Sequence, residues 1–189
     1  QSPNFRPHQL VTHLFMHANT MHLLMNMFAL WMFGKILENI WGGKRFLIYY
    51  MFTGLGAAVL HLAVIQYQIF QLNIPEMLEL AKQGLYTQGN ITSLRLTELV
   101  CTPTVGASGA VFGILLAFGM LFPNTQLFLL FPPIPIKAKY FVIGFGLLSL
   151  YLGLSNNPSD NIAHFAHLGG MIFGFLLIKY WGKNRNTFY

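Results

Sequence analysis

The chain has 189 residues, of which 11 are Lys or Arg and 5 are Asp or Glu, so only 8% carry charge. An average soluble domain carries about 25%; with 54% hydrophobic residues and a mean hydropathy of +0.53, the implied solvent is lipid. Eighteen Phe and a single Cys also exclude a disordered chain and a disulfide-rich secreted scaffold.

Five apolar stretches follow in chain order, to be compared with the roughly 17 to 25 residues that a membrane crossing needs. Span A runs from about Met21 to Leu37 and span B from about Phe46 to Gln66. An extramembrane insertion follows at about 67–104, in which Pro75 to Gln83 and Ser93 to Val100 have the spacing of two short amphipathic surface helices. Span C runs from about Gly106 to Phe122, closed by Pro123-Asn124. The apolar segment Gln126 to Ile136 contains Pro132, Pro133 and Pro135, which forbid a continuous helix, so an interfacial connection is predicted. Span D covers about Ala138 to Leu154 and span E about Ile162 to Trp181. The expected fold class is an all-α polytopic membrane protein, a single membrane domain over 1–189.

The net charge of +6 and a pI near 9.6 raise the question of nucleic acid, but the cations form no basic stripe with interleaved aromatics. They sort by membrane side instead. With the A–B and C–D connections and the C-terminus in the cytoplasm, that side holds Lys35, Lys44, Arg45, Lys137, Lys139, Lys179, Lys183 and Arg185. The other side holds Arg6, Lys82 and Arg95, with Glu76, Glu79, Glu98 and Asp160. The excess positive charge therefore reads as a topology signal, and no nucleic-acid partner is expected.

Strongly polar groups inside membrane helices are costly and mark functional sites by default. His22 and Asn26 lie four apart in span A, on one helix face. Ser108 opens span C within Gly106-Ala107-Ser108-Gly109, and His164 and His167 lie in the first two turns of span E. Spans A, C and E run in the same direction, so all of these residues lie at similar depth beneath the outer surface. Gly109 and Gly113 on span C, and Gly170 and Gly174 on span E, form small-xxx-small pairs that permit close helix approach. His167, Gly170 and Gly174 share one face, so a close C–E crossing brings His167 toward Ser108.

A serine hydroxyl needs a base, and neutral imidazole is the usual one at pH 7. Acyl transfer also needs oxyanion donors, for which the N–H groups at the start of span C and the side chains of His22 and Asn26 are candidates. No acid lies in these spans near the site, so a Ser–His dyad fits better than a triad. Each signal alone has a plainer reading: a glycine-rich helix start is usually packing, and a membrane histidine usually bonds a neighbour. It is the joint placement that favours catalysis. His8, His13 and His17 have spacing that a metal could use, but there is no HExxH and Cys101 is solitary, so neither metal nor cofactor is expected.

Taken together, His17-x-x-x-x-His22-x-x-x-Asn26, Gly106-Ala107-Ser108-Gly109 and Ala163-His164-Phe165-Ala166-His167-Leu168-Gly169-Gly170 with Gly174 resemble the rhomboid intramembrane serine proteases. Glu38 followed by Gly42-Gly43-Lys44 matches as well, and the likeness extends from about Phe5 to Trp181. The resemblance implies a rhomboid-like helical bundle whose first span precedes span A and is missing from this sequence. It further implies Ser108 as nucleophile, His167 as general base and acid, and His22 and Asn26 as oxyanion stabilisers. Where the family often carries a Trp-Arg pair in its first outer loop, this chain reads Arg6-Pro7-His8-Gln9. The implied partners are lipids and transmembrane protein substrates with helix-destabilising, small-residue cleavage regions. The implied location is a bacterial cytoplasmic membrane, with the site toward the outer face. The rival reading is a catalytically silent relative that binds membrane proteins or serves their quality control.

Overall fold

In hydrocarbon every backbone N–H and C=O must pair within the protein, so apolar stretches of this length settle as helices. The computed structural model describes residues 6–71, 105–128, 134–155 and 163–183. The two amphipathic helices expected at Pro75 to Gln83 and Ser93 to Val100 lie wholly outside the described residues.

A short helix α1 (Gln9–Thr12) leads through a 3-10 turn (His13–Phe15) to α2 (Thr20–Ala29). Asn19 caps α2, its side-chain oxygen accepting the His22 N–H at 2.8 Å, as an N-cap should. A π-helical turn at Leu30–Gly34 joins α2 to α3 (Lys35–Trp41), so span A continues to Trp41, beyond its expected end at Leu37. Its stop is Gly42, whose φ of +77° suits glycine and breaks the helical path.

Helix α4 (Gly43–Gln71) is longer than span B at both ends, because no proline interrupts it. Helix α5 (Ser108–Leu121) has 14 residues and so spans about 21 Å, short of the ~30 Å of a bilayer core. It is buried along most of its length by α4 and α7. Helix α6 (Ala138–Leu154) coincides with span D, and α7 (His164–Lys183) lies two residues later than span E. Among the described residues, three helical stretches, Thr20–Trp41, Gly43–Gln71 and His164–Lys183, are long and apolar enough to cross a membrane, and α5 and α6 are shorter apolar helices. This is an integral, multi-pass helical bundle.

The segment between α5 and α6 forms more than an irregular connection. Strands β1 (Gln126–Phe128) and β2 (Pro135–Lys137) pair antiparallel, with Leu127 opposite Ile136. Proline blocks a helix but is tolerated on an edge strand, and both strands of a two-stranded ladder are edges.

Helices α4, α5 and α7 form the centre of the bundle, and α6 packs on α7 and α5. At the end away from Ser108 the rings of Trp41, Tyr49 and Trp181 meet, with centroid separations of 4.9 to 6.1 Å, and Arg45 lies over Trp181 at 4.2 Å. Such cation–π and edge contacts tie α3, α4 and α7 together where the chain leaves the apolar layer. Buried Thr53 satisfies its hydroxyl on the carbonyls of Tyr49 and Tyr50, at 2.9 and 3.0 Å, the local solution available to a polar group in an apolar helix.

Candidate active site

Ser108 is the first residue of α5, where N–H groups have no acceptor within the helix. The chain reaches it through Gly106, whose φ of +124° is a conformation that L side chains rarely adopt. A second constraint acts at the same position. A Cβ at Gly106 would lie 2.8 Å from His22 Cε1 and 3.0 Å from Nε2, with Ser108 Oγ at 3.7 Å. His22 Nε2 and the serine hydroxyl therefore border one small space. The Gly106 N–H donates to His13 O at 2.9 Å, fastening the approach to Ser108 onto the 3-10 turn.

His167 lies in the second turn of α7, and its Nε2 stands 3.0 Å from Ser108 Oγ. The ring is only 9% exposed. A close crossing of α5 and α7 makes this possible: a Cβ at Gly170 would overlap the carbonyl of Gly109, and one at Gly109 would meet Ala57 and the carbonyl of Ala166. The two other expected glycines serve a different contact. Gly113 faces Thr53, with a hypothetical Cβ at 2.7 Å, and Gly174 faces the Tyr49 hydroxyl. Both therefore admit α4. Tyr49 completes that junction by donating its O–H to Gly113 O at 2.8 Å.

Phe112 is the residue that sequence reasoning missed. Its ring stacks on His167 with centroids 4.0 Å apart and planes 6° from parallel. Phe112 lies four residues after Ser108, hence on the same helix face, and that offset was the available signal. The stack fixes the imidazole plane from below, while His164 meets the ring edge-on at 6.0 Å.

His22 and Asn26 share the face of α2 that turns toward this space. The Ala18 N–H points at His22 Nδ1 at 3.4 Å; with Nδ1 accepting, the ring hydrogen resides on Nε2. Asn26 is 5% exposed and donates one amide hydrogen to His22 O at 2.8 Å, leaving its second amide hydrogen for another acceptor. Of the upstream histidines, His17 sits edge-on to His22 at 5.4 Å. His13 and Leu14, with Ala57, Gly106, Ser108 and Ala166, help line a cavity beside Ser108. Partial burial holds the His13 imidazole below its ordinary range, against the opposing pull of the Gln9 and Leu10 carbonyls.

Residues 4–184 match the Rhomboid domain family. The chain is 31% identical to Rhomboid protein 1, mitochondrial, of Saccharomyces cerevisiae, over 89% of this chain and 40% of that protein. It is 32% identical to RHOMBOID-like protein 12, mitochondrial, of Arabidopsis thaliana, over 87% and 44%. It is 29% identical to Rhomboid protease AarA of Providencia stuartii, over 87% and 52%. The chain thus spans about half or less of the length of these curated relatives. No solved structure matches it significantly. A glycine-packed bundle with these motifs, matched from residue 4 to residue 184, belongs to the rhomboid family.

Proposed function

We propose that this chain is a serine endopeptidase that cleaves transmembrane segments of other membrane proteins, acting as a single membrane domain. The observation that carries the proposal is the 3.0 Å contact between Ser108 Oγ and His167 Nε2, two polar groups 59 residues apart inside apolar helices. A relative carrying the name protease, AarA of Providencia stuartii, adds support.

In this mechanism the serine hydroxyl donates its hydrogen bond to neutral His167. As Oγ attacks the scissile carbonyl carbon, the proton moves to Nε2 and a tetrahedral oxyanion forms. The N–H groups at the start of α5, His22 Nε2–H and the second Asn26 amide hydrogen stabilise that charge. His167 then protonates the leaving amine, and a water deprotonated by the same imidazole hydrolyses the acyl-enzyme. A substrate helix must unwind first, because its carbonyls are already hydrogen-bonded. Several of the matched relatives carry mitochondrial or chloroplastic names, so the expectation of a bacterial cytoplasmic membrane is not supported. The site facing the less basic side of the membrane is part of this proposal.

Reconstitution with a transmembrane substrate tests the reading. Ser108→Ala and His167→Ala should each lower kcat by at least about 10³-fold. Equal cleavage by all three proteins would remove the dyad, and no cleavage by any of them would favour a binding role instead.

A further inference from the structure

The hairpin between α5 and α6 has two unlike faces. Leu127 and Ile136, paired across the ladder, turn toward the bundle and are half-buried. Their neighbours turn outward: Phe128 is 67% exposed opposite Pro135, and Lys137 is exposed opposite Gln126. Ile134, just before β2, is 51% exposed, and Tyr140, in the first turn of α6, is 59% exposed.

Lys139 lies over the Tyr140 ring at 5.2 Å, which holds its ammonium beside an amphipathic aromatic group. Backbone bonds fasten this corner to the end of α5, from Ala138 N to Thr125 O at 2.8 Å and from Lys139 N to Pro123 O at 3.2 Å. Large apolar side chains next to lysines, at the end of a membrane bundle, fit neither bulk water nor hydrocarbon. They fit the layer between, where acyl chains meet phosphates. Charge narrows the occupant further. Among the described residues the only carboxylate is Glu38, and it lies on α3, against Gly43.

We propose that Phe128, Ile134 and Tyr140, together with Lys137 and Lys139, form a docking corner for the headgroup of an anionic phospholipid. The apolar side chains enter the acyl boundary and the two ammonium groups take the phosphate. The corner lies at the opposite end of α5 from Ser108, and the inference does not depend on the protease reading.

The test is thermal unfolding of the full chain in detergent with phosphatidylglycerol or phosphatidylcholine of identical acyl chains. Phosphatidylglycerol should raise the midpoint above that in phosphatidylcholine. The Lys137→Gln, Lys139→Gln double variant should lose most of that difference while keeping its phosphatidylcholine midpoint. The Lys35→Gln, Lys44→Gln double variant should retain it. Equal midpoints in the two lipids, or equal loss in both double variants, would overturn the corner in favour of no lipid preference or a diffuse charge effect. An equal rise with inorganic phosphate alone would make it an anion site and overturn the lipid assignment. A photoreactive phosphatidylglycerol on the unmodified chain gives a readout that needs no variant. It should label residues 134–140, and absence of label there counts against the proposal.

Discussion

At the residue scale, the proposed chemistry rests on Ser108 and His167, and Phe112 stacks on the imidazole that would carry it. An aromatic stack is worth about 0.5–1.5 kcal/mol beyond its area, so Phe112→Leu should lower kcat by about 2- to 12-fold with little change in KM. Phe112→Tyr, which keeps the ring, should restore most of it; a Leu variant as fast as the parent would show that the stack does not position His167. Loss of an oxyanion donor costs more, about 10²–10³ in rate. In the proposed mechanism His22→Ala removes one such donor, so it should slow turnover by about that factor while substrate binding in the membrane stays near normal, which steady-state kinetics in proteoliposomes can separate. The residues bearing the proposed chemistry are readable from the chain, because a hydroxyl, an imidazole or an amide inside an apolar helix stands out by type alone. Phe112 does not stand out among 18 phenylalanines; only the helical offset from Ser108 and the position of α7 single it out.

At the element scale, the contrast between glycines gives a paired prediction. A Cβ at Gly170 would overlap the Gly109 carbonyl, and backbone cannot step aside as a flexible side chain can. Gly170→Ala should thus cost about 1–3 kcal/mol of stability, lower the unfolding midpoint and separate Ser108 from His167. Gly144 on α6 has nothing within 4 Å of its hypothetical Cβ. There alanine should be neutral or stabilise by up to about 1 kcal/mol, through helix propensity alone. If the two variants unfold alike, helix propensity rather than the crossing governs both positions. The strand pair follows a similar logic: the prolines argue against one continuous helix between α5 and α6, but the pairing of Gln126–Phe128 with Pro135–Lys137 depends on where α5 ends and α6 begins, which the local sequence does not encode.

At the scale of the whole molecule, the N-terminal segment couples pH to the fold. His13 lines the cavity beside Ser108, its carbonyl holds Gly106, and burial lowers its pKa in the folded state. The unfolded chain therefore binds the proton more readily, with an ordinary value near 6.5. The resulting stability is complete above that value and is lost as pH falls below it through the folded value. The unfolding midpoint should drop on acidification below about pH 6.5, with a shallower slope in His13→Gln; an unchanged slope would assign the effect to other histidines.

Hydropathy and residue type are local properties, so the chain alone establishes the membrane class, the five apolar helices and the identity of the polar groups within them. Helix rotation is not local. Which glycine meets which partner, that Gly113 and Gly174 admit α4 while Gly170 rests on Gly109, and that Phe112 lies beneath His167 all depend on how α4, α5 and α7 turn about their axes. Those rotations are settled only when side chains from all three helices compete for the same buried space.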